Sequence, residues 1–373
     1  MNSVEIPIEP LVTLETISLN HFRNYRELRL DFVSGFTIIC GSNAQGKTNL
    51  LEAIFLVSKG RLLRGIRDIE AITEGEDACD VEAIVGPYQT KLKIEISIKQ
   101  RKRASINSNP LPRVSDLLGR FPTTSVSSED LALTRGDPSD RRLFLDLELS
   151  SLYPSYLRHL AVYKRSLEHR NALLKSGDFG PVSDSIMETW EQKLSESGAA
   201  LREARFRYVQ DLSSDAERFH YTMGNGEKLS LHYRVKDGAE HRDHFMQRLT
   251  ETRIDDFRRG STSIGPHRDD LSIEVEGRDC RLYGSQGQQR TAAISIKLGA
   301  FEVAKTKLGH SPALLLDDVF SDLDASRREA LSLIALTEAD QTILTCTEAE
   351  TAGRQILSNA TLYEVESGTV KKA

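Results

Sequence analysis

Apolar and polar positions change period along this chain. In the first third the pattern is that of strands. Leu28, Leu30 and Phe32 alternate with charged neighbours, and Leu92, Ile94, Ile96 and Ile98 alternate with Lys91, Lys93, Glu95, Ser97 and Lys99. A period of two marks a strand with one buried face. Between these segments Phe36-Thr37-Ile38-Ile39-Cys40 predicts a buried strand, and Asn49 to Val57 predicts the helix that follows it.

From about residue 139 the period becomes helical. Leu157, Leu160, Ala161, Lys164, Leu167, Asn171 and Leu174 recur at steps of three and four, with Pro154 near the start, where a helix tolerates it. A Gly/Pro/Ser break at 176–183 separates this series from Ile186, Trp190, Leu194, Leu201, Tyr208, Leu212 and Phe219. A helix over that second series would run roughly 55 Å at about 1.5 Å per residue. One short break between two such helices predicts an antiparallel pair, either projecting as an arm or folded into the core of one domain. Leu229, Leu231, Tyr233 and Val235 alternate again, and Ala313–Leu316 and Gln341–Thr345 predict further buried strands. The expected organisation is an α/β head made of residues 1–138 and 256–373, with a mainly helical arm domain inserted at 139–255.

Composition narrows the classes. The chain has 373 residues, enough for about two domains. It has no apolar run long enough to cross a membrane, and its first residues lack the basic-then-apolar pattern of an export signal. Cys40, Cys79, Cys280 and Cys346 are far apart and form no C-x-x-C pair, which fits reduced thiols in a cytoplasm. The net charge of −6 does not advertise a nucleic-acid partner. Such a contact would rest on local basic turns, Lys99/Arg101/Lys102/Arg103 and Arg258/Arg259.

Chemistry enters with Gly41-Ser42-Asn43-Ala44-Gln45-Gly46-Lys47-Thr48, which fits G-x-x-x-x-G-K-[ST] at every fixed position, between the predicted strand and helix. Gly41 and Gly46 let the backbone curl so that its N–H groups and the helix N-terminus face a polyphosphate. Lys47 reaches the β/γ phosphates and the Thr48 hydroxyl completes a magnesium shell. Residues Gly41 to Asn49 are therefore the expected ATP contacts. Further on, Ala313-Leu314-Leu315-Leu316 ends in Asp317 and Asp318. Beside the phosphate loop, Asp317 would hold Mg2+ through water and Asp318, with Lys47 the expected catalytic pair, would polarise the attacking water.

Tyr283-Gly284-Ser285-Gln286-Gly287-Gln288-Gln289-Arg290 is a second small-residue turn opening a helix, and hence a second anion site. One polyphosphate cannot readily use two distant helix N-termini of one subunit. Ser285, Gly287 and Gln288 are therefore expected to close on ATP held by a second copy, as the L-S-G-G-Q loop does in ATP-binding-cassette enzymes. The plainer reading is a glycine turn that caps its helix.

These segments resemble the bacterial RecF family. The resemblance is carried by Asn20-His21-Phe22-Arg23-Asn24-Tyr25, the phosphate loop, Glu129-Asp130-Leu131 before Arg135-Gly136-Asp137-Pro138, and Arg141-Arg142-Leu143-Phe144-Leu145-Asp146. It continues in Gly265-Pro266-His267-Arg268-Asp269-Asp270, the signature turn and Leu314 to Asp324. It implies an ATP-binding-cassette head related to those of Rad50 and SMC proteins, and a weak ATP hydrolase used as a molecular switch in DNA repair, replication restart and the SOS response. The implied partners are a second copy on ATP, single-stranded and duplex DNA at gaps, and RecO and RecR, with RecA loaded downstream; no membrane is implied. By position Arg23 and Asn24 would lie near the base or ribose, and Ser321-Asp322-Leu323-Asp324 at the dimer seam. Thr347 stands where many cassette ATPases place a switch histidine, and a threonine cannot carry that proton. The family's Ser-Pro-Glu-Asp is Ser127-Ser128-Glu129-Asp130 here, and its Ser-Phe-Arg is Leu62-Leu63-Arg64.

His267 and Arg268 admit two readings, a DNA or nucleotide contact or a hydrogen-bonded structural turn. Two other functions fit the sequence less well. A transporter ATPase would have a compact helical subdomain between its two loops rather than the long stretch from Gly46 to Gly284. An SMC-like structural protein would need a far longer arm or a C-x-x-C hook, which Lys175–Ser183 lacks.

Overall fold

The apolar run predicted as a buried strand, Gly35–Cys40, lies at the centre of a six-stranded sheet. Gln341–Cys346 and Ala360–Glu366 flank it in parallel. Ala313–Asp317 and then Thr123–Ser127 extend the parallel side, and Thr369–Lys372 closes the other edge antiparallel to Ala360–Glu366. The register sets Cys40 beside Cys346, and Asp317 beside both Thr345 and Ser127. The carboxyl ends of four strands thus meet along one line, where open parallel sheets bind ligands. This is a computed structural model, and it describes residues 11–63, 67–176, 181–239 and 241–373, the side chains of 181–183 excepted.

A second six-stranded sheet is antiparallel, in the order Tyr25–Asp31, Leu14–Phe22, Ala78–Val85, Thr90–Ser97, Arg103–Ile106, Asn109–Pro110. Its alternation is as the sequence reads as far as Ile96; Ile98 lies past the end of strand Thr90–Ser97 and is exposed. Leu92, Ile94 and Ile96 are buried, while Lys91 and Lys93 pair with Glu82 and Asp80 on the other face. Helix Lys47–Lys59 packs against strands of both sheets, which is why Leu50 through Val57 are buried all round and show no polar stripe. Gln341 joins the sheets: its amide accepts from Leu14 N at 2.8 Å and donates to Leu14 O at 2.8 Å. Leu62 is buried in this core, and Arg64 lies outside the described residues.

The chain falls into two compact units, 1–130 with 218–226 and 293–373, and 131–217 with 227–292. Residues 256–292, signature turn included, belong to the second unit rather than to the head segment expected to begin at 256. The reason is strand pairing at long range, which no local period reveals. Asp270–Val275 pairs antiparallel with Leu229–Arg234 and with Arg278–Asp279.

In the second unit helices Pro154–Ser176 and Pro181–Met223 are antiparallel, since Arg170 meets Glu191, Tyr163 lies against Gly198 and Tyr156 meets Arg205. They are not a bare rod. Helix Arg242–Arg259 packs on the first of them, and Arg141, Arg170, Arg202 and Arg205 are buried in the unit. Arg170 donates to Glu191 (3.0 Å), Asp256 (2.8 Å) and Thr262 (2.8 Å). Arg202 holds Asp269 at 2.7 Å and Asp237 at 2.6 Å. Arg205 holds Asp146 at 2.7 Å and the Pro266 carbonyl at 2.8 Å.

His267 takes the structural alternative of the two readings, while Arg268 is exposed and donates to the Thr262 carbonyl at 3.2 Å. His267 Nε2 faces the Thr262 carbonyl at 3.1 Å, so it carries the proton and donates, and Nδ1 accepts from the Tyr163 hydroxyl at 2.6 Å. Burial first, then Arg268 and Arg142 nearby, lower the ring to about 4 from its ordinary 6.5. Asp269 is fully buried and accepts from Arg202 and from the Tyr233 hydroxyl (2.8 Å).

Two outcomes follow for stability. Arg170→Leu takes the guanidinium from the buried Asp256 and leaves the buried Glu191 with Arg253, and is expected to cost about 3–5 kcal/mol in urea unfolding. Arg207→Leu, which breaks an exposed pair with Glu203, is expected to cost less than about 1 kcal/mol. For His267 the folded state prefers the neutral ring, so its contribution is complete above pH 6.5 and is lost as pH falls towards 4. His267→Gln should therefore lose stability at pH 7.5 yet lose less than the parent between pH 7.5 and 5. Parallel losses in the two proteins would contradict the neutral ring.

Candidate nucleotide site

The phosphate loop is shaped from below by groups its own motif does not contain. Gly46 has φ 117° and caps helix Lys47–Lys59; a Cβ there would meet the Asn24 amide nitrogen at 2.5 Å and the Tyr25 hydroxyl at 2.9 Å. Gly41, with φ 151°, lies against the Val365 carbonyl, where a Cβ has no room. Asn24 Nδ2 donates to Gln45 O (2.9 Å), Asn49 Nδ2 donates to Asn24 Oδ1 (2.9 Å), and the Tyr25 hydroxyl donates to Gly46 O (3.0 Å). From the other side the turn between the last two strands supports the loop. Ser367 N donates to Gln45 Oε1 at 2.6 Å and Gly368 N to Gln45 O at 3.2 Å.

Lys47 is buried, and its ammonium donates to the carbonyls of Gly41 (2.7 Å) and Ser42 (2.9 Å). The cation is thereby held over the mouth of the loop. The exposed residues are Ser42, Asn43 and Ala44. Arg23 reaches the buried carboxylate of Glu52 at 2.8 Å and the Glu70 carbonyl at 2.8 Å. It braces the helix after the loop, while Asn24 braces the loop itself.

The acidic strand delivers its carboxylate to the loop. Asp317 Oδ1 accepts from the Thr48 hydroxyl at 2.9 Å and from the Thr345 hydroxyl at 2.7 Å. Thr345 Oγ1 in turn accepts from Asp318 N at 3.0 Å, which fixes the strand end. Asp318 has φ 51° and follows the strand in a left-handed turn. Burial pushes its carboxyl above the ordinary value, with Asp317 and Asp322 adding to the rise and Ser321 and Lys47 opposing it. A hydroxyl and a carboxylate in contact are hard oxygen donors of the kind magnesium takes. Among the described residues no group of three or more His, Cys, Asp or Glu side chains gathers as a metal cage. That donor set suits an ion completing its shell with phosphate and water.

Next along the line, Ser127 N donates to Asp130 Oδ2 at 2.7 Å, and Lys297 pairs with Asp130 at 3.5 Å. This carboxylate closes the Ser127–Asp130 turn where the resembling motif has proline. Thr347 directly follows strand Gln341–Cys346.

In the second unit the signature turn caps helix Gln286–Leu308 with its own side chains. Ser285 N donates to Gln288 Oε1 (2.9 Å), and Gln288 N donates to the Ser285 hydroxyl (3.2 Å). Gln288 also donates to Glu227 at 2.8 Å. Ser285 and Gln286 are exposed and Gly287 is half-buried. Of the basic turns, Lys102 is drawn onto the Gly60 carbonyl and Asp68, both at 2.9 Å, and Lys99 pairs with Asp77. Arg258 pairs with Asp255 at 3.1 Å, while Arg101, Arg103 and Arg259 are exposed.

Four contributors escaped the sequence reading: Tyr25, Glu52, Thr345 and the Ser367–Gly368 turn. Glu52 had left a trace, an acid in the apolar run from Leu50 to Val57. The turn lies more than 300 residues from Gln45 and left none.

Comparison with known proteins places this geometry. The family described as RecF/RecN/SMC N terminal domain matches residues 13–371. The DNA replication and repair protein RecF of Symbiobacterium thermophilum is 40% identical over 370 residues, covering 96% of this chain and 97% of the relative. That of Halalkalibacterium halodurans is 37% identical over 368 residues, covering 96% and 99%. A solved structure described as the recombination mediator protein RecF with ATP, in the RecFOR pathway, superposes with a TM-score of 0.89 at 34% identity, over 97% of this chain and 98% of that one. The Smc head domain of Pyrococcus furiosus shares the fold alone, with a TM-score of 0.56 at 15% identity over 97% and 96% of the two chains. With a phosphate loop and an acidic strand on one sheet, a signature turn in the second unit, and relatives matched over nearly their whole length, this chain belongs to the RecF family.

Proposed function

We propose that this chain is an ATP-gated switch of recombinational DNA repair, which dimerises on ATP, binds DNA at gaps in that state and is reset by slow hydrolysis. In this role it acts with RecO and RecR so that RecA is placed on DNA. The observation that carries the reading is the meeting of Thr48 and Thr345 on Asp317 Oδ1. It couples the loop that takes the phosphates to the strand that carries the acid. Arg23 and Asn24 support the site through Glu52 and Gln45, and the backbone N–H groups of Gly41–Thr48 face the phosphates.

Thr48 and Asp317 would hold Mg2+, which neutralises developing phosphate charge. Lys47 leaves the loop carbonyls for the β/γ phosphates as ATP enters. Asp318 orients the attacking water, and its raised pKa makes it a stronger base than an exposed aspartate. Thr347 offers no imidazole to assist, which keeps turnover slow. Ser285 and Gly287 act on the ATP of a second copy, for which the exposure of Ser285 provides.

Lys47→Ala should abolish ATP binding with the fold intact, as read by fluorescent-nucleotide titration and circular dichroism. Asp318→Asn should keep ATP binding and lower hydrolysis about 10²- to 10⁴-fold. A rate per subunit that does not rise with protein concentration would refute the composite site.

DNA affinity measured across a salt series should be higher with ATP than with ADP and fall steeply as salt rises. Equal affinity in both nucleotide states would leave the chain an ATP-timed adaptor whose DNA contact lies on its partners.

A further inference from the structure

We propose that the outer face of helix Pro154–Ser176 is a docking surface for the phosphate backbone of duplex DNA, held by Arg158, Arg165 and Lys175. The proposal rests on the DNA-binding reading above and gives that contact a place. The helix carries five cations, Arg158, Lys164, Arg165, Arg170 and Lys175, against a single acid, Glu168. On the antiparallel helix Pro181–Met223 acids outnumber cations. Charge is thus sorted between two neighbouring helices, and a count over both conceals it.

Helical period puts the free cations on one line. Arg158, Ala161, Arg165, Glu168, Ala172 and Lys175 recur at steps of three and four, and every one of them is exposed. Tyr156, Leu160, Tyr163 and Leu174 take the buried side. Arg170 is committed to Glu191 and Asp256 inside the unit, and Lys164 lies 3.7 Å from Asp146. Among the described residues Arg158, Arg165 and Lys175 meet no carboxylate within 4.0 Å. Other exposed arginines of this unit do: Arg207 pairs with Glu203, Arg248 with Glu251 and Arg258 with Asp255. Lys175 lies beside the end of helix Arg242–Arg259, where a Cβ on Gly260 would stand 3.5 Å from its Cγ and Arg259 is exposed. One turn on from Arg165, His169 lies flat against Trp190, ring centroids 4.3 Å apart, and Lys193 stands 4.7 Å from the same ring.

The face selects its partner by what it has and what it lacks. From Arg158 to Lys175 it runs about 25 Å at ~1.5 Å per residue. Over that length duplex DNA presents roughly 15 phosphates, one per about 1.7 Å. Ala161 and Ala172 between the cations let a rigid backbone approach closely. Val162 is the one large apolar side chain the helix exposes, so the face lacks the apolar centre of a protein interface. The Trp190 ring is engaged by His169 and Lys193, which leaves no open stacking platform of the kind single strands use. Phosphate is the chemistry that remains, read without regard to sequence. All of these groups belong to one copy, so the contact is available whichever nucleotide is bound.

The test is fluorescence anisotropy of the full-length chain on a labelled random-sequence duplex and on a single strand of equal length, with ATP and with ADP, across a salt series. Arg158→Gln/Arg165→Gln/Lys175→Gln should bind the duplex about 10- to 100-fold more weakly in both nucleotide states. Its slope of log affinity against log salt should be shallower by about 2–3, near 0.9 for each lost phosphate contact. Binding of a fluorescent ATP analogue and the circular dichroism spectrum should match the parent's, and Arg207→Gln, which removes a paired arginine, should bind duplex as the parent does. A triple variant with the parent's duplex affinity and salt slope overturns the proposal and leaves the DNA-binding reading standing. A loss as large on the single strand as on the duplex overturns the assignment to duplex. A parent that binds no DNA at low salt overturns both readings.

Discussion

Charge taken out of water must meet opposite charge or a hydrogen bond, and in this protein that requirement fixes geometry in both units. Glu52 has no access to solvent, and the guanidinium that reaches it ties Arg23 to the helix that follows the phosphate loop. Asp317, nearly buried, takes two hydroxyls from two different elements. In the other unit Arg170, Arg202 and Arg205 each satisfy carboxylates contributed by segments distant in sequence. Such pairs add little net stability, because desolvation offsets most of their attraction. Breaking one is costly, however, so each permits very few alternative packings.

The nucleotide site uses this specificity. Its parts come from the loop, the acidic strand, Thr345 on the strand between them and the turn at Ser367–Gly368. No residue among them is unusual alone. The parallel register brings Asp317 level with Thr345, and that alignment puts the carboxylate in reach of Thr48. Chemistry at the loop is thus set by strand register as much as by the loop's own sequence.

Much of this was legible beforehand, for a physical reason. Phosphate binding needs glycines, a lysine and a hydroxyl at fixed spacing in one short segment, so the loop could be read directly. The strands at Gly35–Cys40 and Thr90–Ser97 and the two long helices also declare themselves, because burial imposes its period locally. The boundary near 256 failed because Asp270–Val275 is partnered by Leu229–Arg234 across a helix, and pairing between distant strands leaves no mark on local period. His267 could not be assigned either way from sequence, since its role depends on Tyr163 and Thr262 standing at its two nitrogens.

The central strand has a further consequence for the order in which the molecule can be made. Both neighbours of Gly35–Cys40 come from residues 341–366, and Leu14 meets Gln341 across 327 positions. At roughly 5–20 residues per second, a ribosome needs about 15–65 seconds to bridge that gap. Throughout it the apolar run at Phe36–Cys40 is synthesised but unpaired, a sticky edge awaiting its partners. Residues 131–292 supply all the strands of their own small sheet and can settle in the interval. The parallel sheet that carries the phosphate loop therefore cannot close around Gly35–Cys40 until residues 341–366 have been made.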